Sequence, residues 1–227
     1  MAFLKLPGET IKLVQFSGVR YYTDGFVKAP SVTTILRETR SAYNKQFLAK
    51  FNETNGEYTK MCADRGTRLH KEIEDYLVKR IPNSNISEDL KPFFKNVKPL
   101  LNKLDPLFLE LPLIHKEYLY GGTADCGAVY GGESGIPLLI DWKTSDKPKN
   151  SWYDYPLQLA AYIKAFNSLY AELCGVTLSS AMLVCVHPAG VQIEIFGSNQ
   201  VEHYWNKFLV RLRQYYDKYS VEKENIA

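Results

Sequence analysis

Before Pro112 the longer apolar patterns repeat with the period of a helix; after it they alternate with the period of a strand. The clearest helix runs from about Tyr58 to Arg80. Met61, Leu69, Ile73, Tyr76 and Leu77 fall on helical spacing there, and Pro82 closes the run. Ser87 caps another helix to about Leu101, with Pro92 in its first turns. Ala42–Phe51 reads as a separate helix, and Ser31 as the N-cap of a short one through Leu36. Ahead of these, Ile11–Phe16 and Val19–Thr23 read as two short strands around a Ser17-Gly18 turn.

Beyond Pro112, Leu113–Tyr120 predicts a strand, Gly121-Gly122 a tight bend, and Thr123–Tyr130 a second strand. Gly131–Gly135 reads as a loop before a strand over Pro137–Lys143. The unbroken Leu138-Leu139-Ile140 run suits a strand covered on both faces. Pro156–Asn167 predicts a helix. Ser180–Val186 and Val191–Phe196 predict a hairpin around Pro188-Ala189-Gly190, and an aromatic-rich helix closes the chain from about Asn199 to Tyr219. The expected organisation is one α/β domain over 1–227. Its first part (1–110) is mainly helical with a short β-hairpin, and its second (111–227) is a sheet-and-helix core that the long helix covers.

Composition narrows the class without naming a function. The chain has 227 residues, 45% of them hydrophobic and 23% charged, which excludes a disordered, collagen-like or disulfide-dense chain. No apolar run approaches the roughly 18 residues that span a bilayer, so no membrane partner is expected. A net charge of +3 neither demands nor excludes a polyanion. Cys62, Cys126, Cys174 and Cys185 form no CxxC pair. They read as free thiols in a reducing cytosol, and no iron–sulfur cluster is expected. The opening MAFLKLPGETIKLVQ carries neither a cleavable signal nor the Arg- and Ser-rich pattern of a transit peptide.

The candidate chemistry gathers at element ends. Asp141 and Lys143 close the apolar strand, and as i and i+2 they point to one face while Trp142 points away. Asp125 follows Gly121-Gly122-Thr123-Ala124 on the preceding strand and can lie beside Asp141. Two ionised carboxylates held together need a cation, and hard oxygen donors suit Mg²⁺ or Mn²⁺. A lysine beside them can offset developing charge and orient water for phosphodiester hydrolysis. His70, in Arg65-Gly66-Thr67-Arg68-Leu69-His70, is a candidate metal ligand on the long helix. Gln158 and Tyr162 share one stripe of the helix after the Asp141–Lys143 strand. Taken singly, each motif reads first as an ordinary surface pair, turn residue or helix-face residue.

In chain order the pieces are GTRLH, GGTAD, IDWKTS and QLAAY. This series resembles the PD-(D/E)XK nuclease superfamily, in particular its RecB-like exonuclease branch. Together with APSVTTIL, YPLQLAAYIKAF and YWNKFLVRLRQYYDKY, it is similar to the mitochondrial genome maintenance exonucleases and their phage and bacterial relatives. The resemblance implies an α/β fold with a mixed central sheet flanked by helices and an N-terminal helical part. It implies a Mg²⁺- or Mn²⁺-dependent DNA exonuclease preferring single-stranded ends, with replication or recombination proteins as further partners. His70, Asp125, Asp141 and the Trp142 backbone carbonyl would bind metal. Asp125, Asp141 and Lys143 would be catalytic, Lys143 positioning the attacking water, with Gln158 and Tyr162 in support. Ser31, Thr33, Thr144 and Ser145 would contact phosphate. Without a transit peptide, a bacterial or phage member in the cytoplasm is the expected source.

Basic and aromatic residues suggest where a strand would run. Arg65, Arg68, Lys147 and Lys149 are candidate backbone contacts, and Trp152, just after the Asp141–Lys143 strand, is a candidate base-stacking side chain. Cleavage inside a strand rather than at its end stays open, as does an inactive nucleic-acid-binding module of the same fold.

Overall fold

The structure, a computed structural model, describes residues 11–16, 19–132 and 135–224, with 3, 4 and 6. The expected Ser17-Gly18 turn and the middle of the 131–135 loop lie outside the described residues. Three short strands open the chain: β1 (Lys12–Phe16), β2 (Val19–Thr23) and β3 (Lys28–Pro30), antiparallel in that order. The helices α1 (Val32–Glu38), α2 (Ala42–Lys79) and α3 (Lys91–Leu101) follow. Then come β4 (Leu104–His115), β5 (Tyr120–Tyr130), β6 (Ile136–Thr144), α4 (Tyr155–Cys174), β7 (Ser180–His187), β8 (Gly190–Phe196) and α5 (Ser198–Glu224).

The large sheet has the order β4-β5-β6-β7-β8. Only β6 and β7 run parallel, because α4 carries the chain back across one face between them; the other pairs are antiparallel. One core packs α1, α4 and α5 on that face, with Leu139, Ala160, Phe166 and Phe208 at its centre. The second packs α2 and α3 on the other face, with Leu69, Ile73, Val97, Ile140 and Trp142. The Leu138–Ile140 run is therefore covered on both sides, as its uniform apolarity predicts. This is the expected mixed sheet flanked by helices, with a helical part ahead of it.

Four local readings are corrected. The helix expected from a Ser87 cap begins at Lys91, with Leu90 at its N-cap and no side-chain cap bond. Ala42–Phe51 and Tyr58–Arg80 are one helix, kinked where Asn55 leaves helical geometry (φ −125°, ψ 28°). The Asn55 amide donates to the Phe51 carbonyl at 3.1 Å, and no proline separates the halves. The strand expected from Leu113 begins at Leu104. Pro106 and Pro112 fit because β4 is an edge strand, where a missing N–H costs no ladder bond. Gly121-Gly122 is not a bend but lies inside β5, the reversal falling at 116–119. A Cβ on Gly121 would stand 2.6 Å from the Tyr22 Cβ, and one on Gly122 would stand 2.2 Å from the Tyr162 ring. These glycines admit two tyrosines against the backbone.

Candidate active site

The site forms where β5 and β6 part. Their ladder ends at Cys126↔Ile140. One residue on, the Asp125 carboxylate rather than a main-chain carbonyl accepts the Trp142 N–H, at 3.0 Å. The Trp142 carbonyl faces α2, where it lies 2.8 Å from His70 Nε2. His70 Nδ1 stands 3.6 Å from Asp125. Trp142 is thus fixed from both sides of its peptide while its indole is buried under α2 and α3.

An acid missed in the sequence completes this corner. Leu109↔Cys126 and Leu111↔Ala124 place Glu110 across from Asp125. Like charges directly opposite on a sheet repel. Glu110 also holds a left-handed backbone (φ 45°), which for a non-glycine residue costs about 1–3 kcal/mol. His70, Glu110 and Asp125 each bring a donor atom within 4.8 Å of the others. The available signal was a single acid inside the apolar Leu107–Leu113 stretch.

Asp141 stands beside this trio. Its side chain is almost wholly buried; Oδ1 accepts from Gln158 Nε2 at 3.1 Å, and Oδ2 is 2.5 Å from Lys143 Nζ. That last contact is a close, buried ion pair, and among the described residues Oδ2 has no second partner. Gln158 Nε2 also reaches the Tyr162 hydroxyl at 3.4 Å, a long contact. The i,i+4 stripe of α4 therefore reads Asp141 directly, as its spacing allows.

The electrostatics describe an under-compensated acidic centre. Burial pushes the Asp141 carboxyl up to about 6; Lys143 opposes this and Asp125 adds to it. Burial, reinforced by Asp125, pushes Glu110 up to about 7, although the residue is exposed along its flank. Burial draws the Lys143 ammonium down, but Asp141 and Asp125 outweigh it and the net shift is upward. Burial likewise raises the Tyr162 phenol well above its usual range, leaving a neutral hydrogen-bonding group.

The donor set fits a hard divalent cation. It combines the Glu110 and Asp125 carboxylates with the His70 imidazole and the Trp142 carbonyl, and the buried Asp141 carboxylate stands beside them. The 2.8 Å between His70 Nε2 and the Trp142 oxygen suits a hydrogen bond. It is also near the about 3 Å that separates adjacent donors of an octahedral ion with about 2.1 Å bonds.

The expected nucleic-acid contacts divide. Ser31 is 2% exposed and caps α1, its hydroxyl accepting from Thr34 N at 3.1 Å; Thr33 beside it accepts from Arg20 at 3.0 Å. Thr144 lies against Gly66 of α2, and Ser145 donates its N–H to Val186. Arg65 is buried, paired with Asp146 at 2.7 Å and stacked on Phe93. Arg68 is held by Asp64 and Asp89. Lys147 is exposed, whereas Lys149 is half-buried with its backbone bonded to Gln192. Trp152 packs against the core under α4 and α5, and its indole N–H donates to Glu194. Its neighbour Tyr153, 77% exposed with a left-handed backbone (φ 48°), is the ring that faces outward.

No protein-family model matches the chain. Among solved structures, SSO0001 aligns with 78% of this chain and 74% of its own, at 15% identity and a TM-score of 0.37. Among curated proteins, the chain is 29% identical over 216 residues to mitochondrial genome maintenance exonuclease 1 of Xenopus tropicalis, an alignment covering 86% of the chain. The mouse and human proteins of that name are also 29% identical, each over 83% of the chain. The chain spans 58–59% of the length of these relatives. It is thus to the mitochondrial genome maintenance exonucleases, across most of its own length, that this chain is similar.

Proposed function

We propose that the chain is a Mg²⁺- or Mn²⁺-dependent deoxyribonuclease that removes nucleotides from single-stranded DNA ends. The observation that carries this reading is the meeting of an acidic trio, His70, Glu110 and Asp125, with an Asp141–Lys143–Gln158 chain at the parting of two strands. Its relatives are named exonucleases, which supports the same reaction class. Exposed Tyr43, Phe47 and Phe51, spaced four residues apart along the outer half of α2, supply stacking surfaces suited to a single strand. Four free cysteines accord with work in a reducing cytoplasm, as in a bacterial or phage-infected cell.

In this mechanism Asp125, Asp141, Glu110 and His70, with the Trp142 carbonyl, would hold the divalent ion. When bound, the ion supplies Lewis-acid stabilisation of the phosphate and a more acidic water. Gln158 fixes the Asp141 carboxylate by bonding Oδ1, so that Oδ2 faces Lys143. The Lys143 ammonium orients the attacking water and offsets the negative charge that develops on phosphate oxygens. Tyr162 keeps Gln158 aligned from the buried side. Thr33 and Lys147 are the best-placed of the expected phosphate contacts, since Arg65 and Arg68 are already paired with carboxylates.

The test is digestion of 5′- and 3′-labelled single-stranded oligonucleotides beside a circular single strand, with Mg²⁺, Mn²⁺ or EDTA. Metal-dependent release from linear DNA alone establishes the exonuclease and its polarity. Cutting of the circle makes it an endonuclease. No cleavage with either ion, alongside salt-sensitive DNA binding, makes it a binding module.

A further inference from the structure

Among the described residues, the Lys143 ammonium has two close partners. One is Asp141 Oδ2, at 2.5 Å. The other is the Tyr155 ring, whose centroid lies 4.8 Å from Nζ. Across the ladder Lys143 faces Cys185 of β7, a buried thiol that offers a cation little. Any cation that draws on Asp141 weakens the first partner. The ring face is then the contact that keeps the ammonium at the centre.

The ring is itself held. Tyr155 is the first residue of α4, three positions before Gln158, and its N–H donates to the Trp152 carbonyl at 3.0 Å. The segment leading to it is fastened along its length. Asp146 pairs with Arg65, the Lys149 backbone makes two bonds to the Gln192 amide, and Asp154 pairs with Arg211 at 3.1 Å. The Tyr155 side chain is partly buried and packs on the α4–α5 core. A fixed aromatic face beneath a half-sequestered ammonium is the geometry of a cation–π support.

We propose that Tyr155 is a positioning residue for Lys143, its ring face holding the ammonium in place while Asp141 engages the metal. This rests on the reading that Lys143 serves phosphodiester cleavage. The ring, not the hydroxyl, is the working part, so aromatic substitutes should serve.

The test compares Tyr155→Leu, Tyr155→Met, Tyr155→Phe and Tyr155→Trp on a labelled single-stranded oligonucleotide. Mn²⁺ affinity is read by calorimetry and folding by thermal melting. The Leu and Met variants should lose about tenfold in kcat, the scale of a desolvated cation–π contact, with KM and Mn²⁺ affinity unchanged. The Phe and Trp variants should stay within about threefold of wild type. In a Lys143→Arg background, which keeps a cation for the ring, Tyr155→Leu should still lower kcat; in a Lys143→Ala background it should lower residual activity no further. Wild-type kcat in both aliphatic variants, or a Phe variant as impaired as Leu, overturns the proposal. So does a fall in Mn²⁺ affinity parallel to that in kcat. Full activity in Lys143→Ala alone would show that the reading beneath it has failed, with Tyr155 not at fault.

Discussion

The carboxylates at the edge of the molecule and those at its centre are handled in opposite ways. Asp24 accepts from the Val27 and Phe26 N–H groups at 2.8 and 3.0 Å, and these bonds, with a smaller contribution from Lys116, hold it near 2. Asp89 takes both arms of Arg68, with the Ser87 hydroxyl also favouring its ionised form, and lies well below the usual range. Asp141 and Glu110 are pushed up instead, to about 6 and about 7. The residue chemistry is the same; the supply of donors differs. At the edge the protein completes the charge of its own acids. At the centre it gathers three acids and provides one ammonium, one side-chain amide, one main-chain N–H and one imidazole. A fold that keeps such an imbalance gains from it only when something positive arrives.

The sharpest way to break this contrast is to remove central groups and look for indifference. Asp141→Ala and Lys143→Ala are each expected to lower nuclease activity by more than about 100-fold while melting stays cooperative. Asp141→Ala should melt only slightly lower than wild type without metal, because relief of the repulsion with Asp125 offsets much of the loss of the Lys143 ion-pair partner. A large drop in its melting temperature would mean that Asp141 holds the fold rather than the chemistry. Next in size, Asp125→Asn and Glu110→Gln should weaken Mn²⁺ binding at least about tenfold by calorimetry. Unchanged affinity in Glu110→Gln would remove that residue from the metal set. Gln158→Ala, which only loosens Asp141, should cost less activity than Asp141→Ala.

The two groups of acids should also part in their pH dependence. A carboxyl whose folded pKa is raised binds its proton more tightly when folded. Its contribution therefore falls as pH rises from the unfolded value near 4 to the folded value of about 6 or 7, and is constant above that. Metal-free protein should accordingly lose stability between pH 4 and 7, less steeply in Asp141→Asn, and regain it on adding Mn²⁺ at pH 8. Thermal melts across this range, with and without the ion, measure it. Equal slopes in wild type and Asp141→Asn would remove Asp141 as the source.

Much of this was legible in the sequence because it depends on period and order. The Asp141–Lys143 face, the opposed burial of Trp142 and the Gln158–Tyr162 stripe follow from i+2 and i+4 geometry, and all three are found. What was hidden depends on pairing between distant segments. Glu110 enters the site only because β4 pairs with β5 in one register, and the start of β4 was itself misplaced because Pro112 read as the boundary between helical and strand patterns. Gly121-Gly122 read as a turn because close packing by Tyr22 and Tyr162 has no local signature. Arg65 read as a free cation because its partner, Asp146, is 81 positions away in the chain. Local rules placed the centre; the acids and bases that complete or cancel one another across the fold did not show.

The smallest effect tests the other side of the contrast. Asp24→Asn keeps a side-chain oxygen that can accept from Phe26 and Val27 but removes the charge that Lys116 pairs with. The turn should persist, so activity and Mn²⁺ affinity should match wild type, with a slight fall in melting temperature near neutral pH. The sign of the pH effect is the reverse of that at the centre. A depressed folded pKa contributes stability above about pH 4 that disappears as pH falls through 2, so variant and wild type should converge in acid. If Asp24→Asn instead cost as much activity as Gln158→Ala, the small sheet at the N-terminus would be coupled to the acidic centre. Tyr22 is the contact through which that would occur, since its hydroxyl reaches Thr123 at 2.9 Å, two residues from Asp125.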